Sequence, residues 1–222
     1  MVRISELFPL LSRALTRVRC PICDDSIEVP VCLTCRDRLP WITLAPPSAP
    51  AAVFAAWRYA EPAAAAVRRL KYEDRPDLAH PLVALAAPTV GPLIGECPDL
   101  IVPVPLHPHR LAERGFNQAT LLARAFRREL RSRLAGSVVA PRVLRRHADT
   151  AKLARKGRMG RQREVTGAFS IRDPRRVCGR RVLLVDDVVT TGATVEACAE
   201  VLRQAGARVT GVAALCRTVN DR

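Results

Sequence analysis

The stretch that most constrains the fold is "VLLVDDVVTTGATVEACAEVLRQAGA" at residues 182–207, in which an apolar run ends in two adjacent acids. The aliphatic residues 182–185 are typical of a strand buried on both faces, and a helical periodicity follows the threonines. Adjacent carboxylates repel each other, and their burial is costly unless a cation or hydrogen-bond donors meet them. We expect Asp186 and Asp187 at the carboxyl end of a central strand, where open α/β sheets bind ligands.

The turn between this strand and the next helix is suited to a phosphate group. Its residues Thr190, Thr191, Gly192, Ala193 and Thr194 offer hydroxyl groups, free backbone amides at a helix start and one glycine for close approach. A phosphate site beside two carboxylates fits a ligand that carries a phosphate and a ribose diol. The alternative interpretation is an ordinary strand–loop–helix crossover. The P-loop pattern GxxxxGK[ST] does not occur in the chain.

Strands and helices alternate through most of the chain, which predicts an α/β fold with an open, mainly parallel sheet covered on both faces. We predict strands at 54–59, 99–106, 165–171, 181–187 and 208–216, and helices at 61–72, after Pro76, at 117–134 and up to Gly206. A further N-terminal helix is expected after Ser5. The predicted domains are an N-terminal helix with a cysteine module (1–45), a proline-rich linker (46–56) and the α/β domain (57–222).

Four of the eight cysteines form two CxxC pairs that are separated by eight residues: Cys20, Cys23, Cys32 and Cys35. This spacing predicts a structural tetrathiolate zinc site, because each CxxC turn presents two sulfurs to one tetrahedral ion. Two disulfides or a redox dithiol are the alternatives. They are less favoured because no export signal precedes the cysteines. The sequence has no membrane-spanning run, and we expect a cytoplasmic protein.

The chain has 36 Lys and Arg against 21 Asp and Glu, a formal net charge of +15. This excess predicts phosphate-rich partners, either nucleic acid or a phosphorylated small molecule, although a GC-rich genome would also enrich arginine. Residues 142–181 hold fourteen basic residues and three acids. This basic segment is either a lid that closes over an anionic substrate or a surface that binds the phosphate backbone of DNA. The lack of aromatic residues among its basic residues before Phe169 does not favour stacking on single-stranded bases.

Residues 182–194 resemble the signature of type I phosphoribosyltransferases. The cysteine module, "RRLKYEDRPDLA", "VPVPLHPHRLAERGFNQATLLARAF" and "GAF" extend this to a resemblance to the ComF/GntX family of competence-associated, phosphoribosyltransferase-like proteins over essentially the whole chain. The resemblance implies a type I phosphoribosyltransferase-like fold and a site for phosphoribosyl pyrophosphate (PRPP) with Mg²⁺.

The resemblance also assigns residues to this site. Asp186 and Asp187 become the ribose-binding acids and residues 190–194 the 5′-phosphate loop. The pyrophosphate contacts would be Leu106, His107, Arg110, Arg114 and Lys71, with Arg69 a further possibility from the same helix. For the four cations the alternative is a solvated basic face, and for His107 a surface role.

Two functions follow from the resemblance and remain open at this point. One is phosphoribosyl transfer to an unknown acceptor. Thr190 lies where purine-salvage enzymes of this superfamily have an aspartate base, so a hypoxanthine–guanine enzyme is disfavoured. The other is a non-catalytic DNA-uptake factor that binds single-stranded DNA and works with the competence helicase machinery. Where the family usually carries Gln and Asn, this chain has Lys152 and Glu164.

Overall fold

A computed structural model describes residues 18–27, 31–42, 52–148 and 167–219 of the chain. The predicted N-terminal helix lies outside these residues, as do Lys152 and Glu164 in the basic segment. None of the helices in the described part is both long and apolar enough to cross a membrane.

From β3 onward, helices separate most of the strands of the central sheet. The strands are β1 (Val18–Arg19), β2 (Ser26–Ile27), β3 (Val53–Arg58), β4 (Leu100–Pro103), β5 (Val138–Val139), β6 (Leu144–Arg146), β7 (Phe169–Ile171), β8 (Arg181–Val189) and β9 (Arg208–Arg217). The helices are α1 (Leu33–Asp37), α2 (Ala63–Tyr72), α3 (Ala79–Val90), α4 (Pro108–Arg114), α5 (Gln118–Glu129) and α6 (Ala193–Gln204). The central sheet is parallel throughout, in the order β3-β9-β8-β4-β5. The predicted α/β fold is confirmed.

Apolar side chains fill both faces of this sheet. On the face covered by α2, α3 and α5, the core includes Trp57 and Leu183. On the face covered by α6 and the β6–β7 pair, it includes Leu184 and Leu202. Successive residues of a strand point to opposite faces, so the unbroken aliphatic run 182–185 contributes to both cores.

The strand that carries the two acids is longer than predicted. β8 continues to Val189, because Val188 pairs with Cys216 and Val189 with Arg217 of β9. Asp186 and Asp187 therefore lie near the end of the strand, whereas the sequence predicted a strand that ends with them. The extra pairing holds the backbone of both acids in a fixed extended conformation.

The segment predicted as the strand 165–171 is not part of the central sheet. Its described portion, β7, pairs antiparallel with β6, with Leu144 opposite Ile171 and Arg146 opposite Phe169. A short apolar run does not determine which strand it pairs with, and β6 and β7 are far apart in the chain. The β6–β7 pair covers one edge of the core beside α6.

The cysteine segment, described at residues 18–27 and 31–42, packs onto β3, an edge strand of the central sheet. The Arg58 N–H donates to the Pro40 carbonyl at 2.8 Å, and the Ile42 N–H donates to the Ala56 carbonyl at 2.9 Å. Trp41 lies edge-on against Trp57 with ring centroids 5.7 Å apart. β3 begins at Val53, inside the predicted linker 46–56, and the division into domains stays a prediction.

Candidate functional site

The two acids of β8 point to opposite faces of the sheet. Asp187 is 2% exposed and shares its face with helix α2. Asp186 is half-buried and faces α6, and one of its carboxylate oxygens accepts the backbone N–H of Asp187 at 2.9 Å. The pair is thus less mutually repulsive than two carboxylates on one face would be.

Lys71, at the end of α2, is the cation that pairs with Asp187. Its Nζ lies 2.8 Å from Asp187 Oδ1, and the lysine side chain is 19% exposed. Burial lowers the pKa of Lys71, but the nearby carboxylates of Asp187 and Asp186 outweigh it and the pKa is raised, so the ammonium is retained. The other oxygen, Asp187 Oδ2, is buried and has no hydrogen-bond partner among the described residues. A buried carboxylate oxygen without a donor can accept a hydrogen bond from a hydroxyl group.

The electrostatics of Asp186 differ from those of its neighbour. Burial, and then the negative charge of Asp187, raise the pKa of Asp186 to about 7, although the Asp187 N–H, Lys71 and Arg146 oppose the rise. Arg146 reaches this carboxylate from β6, where its guanidinium also lies 5.4 Å from the Phe169 ring centroid. Asp186 can therefore change its protonation state near neutral pH.

The loop after β8 forms a small pocket at the start of α6. The pocket measures about 50 Å³ and is lined by Asp186 and residues 188–195. Gly192 has φ +80°, a left-handed conformation that favours glycine, and leads directly into the helix. The first N–H groups of a helix have no intrahelical acceptors, so this pocket presents donors and a positive dipole end to an anion.

A second cleft lies on the α2 side of Asp187. It measures about 500 Å³ and is lined by Lys71, Tyr72, Arg110 and Arg114 among others. The Arg114 guanidinium lies 5.2 Å from the Tyr72 ring centroid and also donates to Gln118. Three of the predicted anion contacts therefore share one cleft, which the sequence could not establish.

The other predicted contacts lie elsewhere. His107 is the N-cap of α4, and its Nδ1 accepts the His109 N–H at 3.3 Å. Arg69 is directed toward the cysteine segment, with its Nη1 3.8 Å from Asp24 Oδ1. Leu106 lines a different groove, together with arginines of the β6 region.

The four N-terminal cysteines lie close enough for one metal ion. Their sulfur atoms all fall within 4.8 Å of one another, and Cys23 Sγ is 3.7 Å from Cys32 Sγ. A tetrahedral zinc ion with Zn–S bonds of about 2.3 Å requires sulfurs about 3.8 Å apart, so the cluster fits zinc. Burial raises the pKa of the Cys35 thiol, whereas backbone N–H groups overcome burial and lower the pKa of Cys20 to about 7.

Comparisons with known proteins agree with this architecture. A model of the phosphoribosyl transferase domain matches residues 114–222. DNA utilization protein YhgH of Escherichia coli (strain K12) is 36% identical over 168 residues, which cover 72% of this chain and 70% of the relative. Competence protein F of Haemophilus influenzae is 30% identical over 164 residues, which cover 72% of this chain and 69% of the relative. The chain belongs to the ComF family.

A third similarity is local. Adenine phosphoribosyltransferase of Streptomyces coelicolor is 60% identical over 37 residues, which cover 17% of this ComF chain and 20% of that enzyme. Together, the matches establish a phosphoribosyltransferase-like domain with a tetracysteine cluster near its N-terminus.

Sequence reasoning missed one side of the ComF site. Arg146 influences Asp186 from the β6 strand, and Arg124, Arg142, Arg145 and Arg172 line the same groove. The signal was present in "RVLRRH", where arginines interrupt an apolar run, but the sequence does not show that β6 pairs with β7 or that the charge of Arg146 acts on Asp186.

Proposed function

We propose that this protein binds PRPP at the carboxyl end of β8 and transfers its phosphoribosyl group to an acceptor. The observation that carries the proposal is the environment of Asp187: a buried carboxylate that Lys71 holds on one oxygen while the other oxygen has no donor among the described residues. A helix-start pocket and a cationic cleft lie on either side of it.

Each part of PRPP has a complementary surface. The 5′-phosphate would occupy the pocket of residues 190–194, where hydroxyls and helix-start amides converge. The ribose hydroxyls would donate to Asp187 and Asp186. The pyrophosphate would lie in the cleft with Lys71, Arg110 and Arg114, whose guanidinium groups match phosphate geometry.

The donor set also fits Mg²⁺, which prefers carboxylate, phosphate and water oxygens. Asp186 and Asp187 would hold the ion, directly or through water, with the oxygens of PRPP. When bound, Mg²⁺ supplies positive charge that neutralises the pyrophosphate.

The transfer breaks the bond between C1 of the ribose and the pyrophosphate oxygen. Pyrophosphate keeps that electron pair, and the lone pair of the acceptor forms the new bond at C1. Asp186 and Asp187 favour the cationic character at C1 while Lys71, Arg110 and Arg114 stabilise the departing charge. The proton of the acceptor passes to water.

Calorimetry with PRPP and Mg²⁺ tests the binding step. We expect wild type to bind and Asp187→Asn to lose most of the affinity, while Asp173→Asn, which changes an acid paired with Arg175 elsewhere on the surface, binds normally. Pyrophosphate release with a panel of acceptors tests the transfer. Equal binding by wild type and Asp187→Asn would contradict the assignment.

A second candidate function is single-stranded DNA binding in DNA uptake, with the competence helicase machinery as a further partner. It is favoured by the relatives named for DNA utilization and competence and by the fourteen basic residues between 142 and 181. If these basic residues bind the DNA backbone, the affinity for DNA should fall steeply as the salt concentration rises. Binding of a fluorescent oligonucleotide at two salt concentrations, without pyrophosphate release, would support this function over transfer.

The cysteine cluster is proposed to hold one structural Zn²⁺. Four thiolates fill a tetrahedral ion and leave no position for water, so the ion would stabilise the segment rather than take part in the transfer. A cytoplasmic location agrees with the free thiols that such a site needs.

A further inference from the structure

A groove beside the proposed PRPP site has a composition unlike the rest of the surface. It measures about 520 Å³ and is lined by Arg124, Arg142, Arg145, Arg146 and Arg172 over an apolar floor that includes Leu106, Phe116 and Leu144. We call it the arginine groove. Its volume falls in the range of about 300–1,000 Å³ that is typical of small-molecule sites.

Four of the five arginines in the arginine groove form no ion pair with the described residues. None of its lining residues is an acid. Within the described chain, no carboxylate forms an ion pair with Arg124, Arg142, Arg145 or Arg172, whereas Arg110 in the neighbouring cleft lies 3.5 Å from Glu113. Uncompensated guanidinium groups in a concave surface create a positive potential that attracts an anion.

The arginine groove is connected to the carboxylates of β8 through β4 and Arg146. Leu106 follows β4, whose Pro103 pairs with Val185, the residue before Asp186. Arg146 is close enough to Asp186 to lower its pKa from the groove side. A molecule in the groove would therefore reach the sugar that Asp186 and Asp187 are proposed to hold.

The hydrogen-bonding groups of the arginine groove select the chemistry of its occupant. Guanidinium groups donate only, and no carboxylate is present to accept from an amino group. Asn117 is partly engaged, since its amide donates to the Val104 carbonyl at 3.0 Å and accepts from the Ala119 N–H at 3.0 Å, and the hydroxyl of Thr120 is the other uncharged hydrogen-bonding side-chain group. The groove is thus matched to a ligand with an apolar face and several acceptor oxygens, and poorly matched to a neutral amino-substituted base.

We propose that the arginine groove is the acceptor subsite and that the acceptor is a small planar anion, carrying a carboxylate or a phosphate. The apolar face would lie on Leu106, Phe116 and Leu144, and the anionic group would pair with the arginines. This inference rests on the proposed phosphoribosyl transfer, in which the lone pair of the acceptor forms the bond to C1 and pyrophosphate leaves with the old bonding pair.

A matched pair of probes tests the proposal without knowledge of the natural acceptor. Nicotinate and nicotinamide have nearly the same shape and differ by one negative charge. We expect nicotinate to bind the full-length protein, measured by calorimetry or ligand-observed NMR, and nicotinamide to bind at least tenfold more weakly. The difference should shrink as salt rises, because the pairing is electrostatic.

Two variants test whether nicotinate binds in the arginine groove. Arg124→Gln/Arg172→Gln changes two exposed arginines without removing an ion pair and should weaken nicotinate binding by about tenfold. Arg131→Gln, an exposed arginine outside the groove, is the matched control and should bind nicotinate as wild type does. PRPP binding should be unchanged in both variants.

The outcomes separate this proposal from the one on which it rests. Loss of nicotinate binding in the double variant with normal PRPP binding supports the acceptor subsite. Absence of PRPP binding in wild type would contradict the proposed function, whether or not nicotinate binds. Equal binding of nicotinate and nicotinamide, or equal binding by the double variant and wild type, overturns the acceptor subsite. A twelve-nucleotide oligothymidylate is the last probe. If it binds wild type, competes with nicotinate and does not bind the double variant, the groove is a nucleic-acid interface and the acceptor subsite is overturned.

Discussion

Two regions of this molecule bring acidic groups together, and they are neutralised in different ways. At the tip of β8, Asp187 is met by Lys71 of the same chain. In the cysteine segment, four sulfurs lie within 4.8 Å of one another, and the nearby Arg19 and Arg69 pair with the carboxylate of Asp24. The first cluster contains its own cation, and the second is proposed to need a metal ion.

The largest expected effect is loss of metal from the cysteine segment. Free energies of structural zinc binding reach about 10–16 kcal/mol at neutral pH, so chelation or Cys35→Ser should unfold the segment from the edge of β3. We expect one zinc ion per chain by elemental analysis and a lower melting temperature by circular dichroism after chelation.

The control for this prediction is Cys178→Ser, which changes an exposed cysteine outside the cluster and should keep both the zinc and the melting temperature. A Cys35→Ser protein that keeps its metal content and stability would show that the cluster is not a zinc site.

The next effect concerns the internal ion pair. Lys71→Met should lower the free energy of unfolding by about 3 kcal/mol, because it leaves Asp187 buried without its cation. In Lys71→Met/Asp187→Leu much of this stability should return, since no buried charge is left unpaired. Chemical denaturation of the two single variants and the double variant measures the coupling.

The double variant also tests the functional role of the pair. It should remain unable to bind PRPP although its stability returns, because the proposed diol and pyrophosphate contacts are both gone. PRPP binding by the double variant would mean that Lys71 and Asp187 serve only the fold.

A smaller effect is the pH dependence that Asp186 contributes. Its pKa in the folded protein is about 7, above the ordinary value near 4, so the folded state binds the proton more tightly than the unfolded state does. Stability from this group is present below pH 4 and is lost as pH rises through 7. Denaturation of wild type and Asp186→Asn between pH 4 and 8 checks the sign: the stability of wild type should fall relative to the variant as pH rises.

The smallest expected effect is at the turn into α6. Gly192→Ala places a side chain at φ +80°, which costs about 1 kcal/mol, while a Cβ there meets no atom within 4 Å. The fold should tolerate the change, and PRPP affinity should fall several-fold as the loop shifts. Gly95→Ala, also without a close neighbour and without the positive φ, is the matched control and should leave PRPP affinity unaltered.

The sequence predicted the central fold well because its strands are dictated locally. The aliphatic run before Asp186 and the alternation of strands and helices are sufficient for a parallel sheet, and the CxxC spacing is sufficient for the cluster. What could not be predicted depends on contacts between distant segments. The pairing of β6 with β7, which brings Arg146 to Asp186, and the end of α2, which brings Lys71 to Asp187, are set by packing and not by any local pattern.

The candidate site shows the same division at the level of single residues. The loop of residues 190–194 lines its pocket beside Asp186, as the order of residues in the chain suggests. His107 was grouped with the anion contacts from its position after β4, but it caps α4 with its ring nitrogen. A capping residue and a ligand contact have the same local sequence context, and only the direction of the side chain distinguishes them.

The contact between Trp41 and Trp57 has a practical consequence. These are the two tryptophans of the chain, and they meet where the cysteine segment lies on β3, with Trp57 1% and Trp41 37% exposed. Detachment of that segment would admit water to both indole rings at once. The intrinsic tryptophan fluorescence of the protein therefore reports, without an added label, whether the cysteine segment is docked on β3.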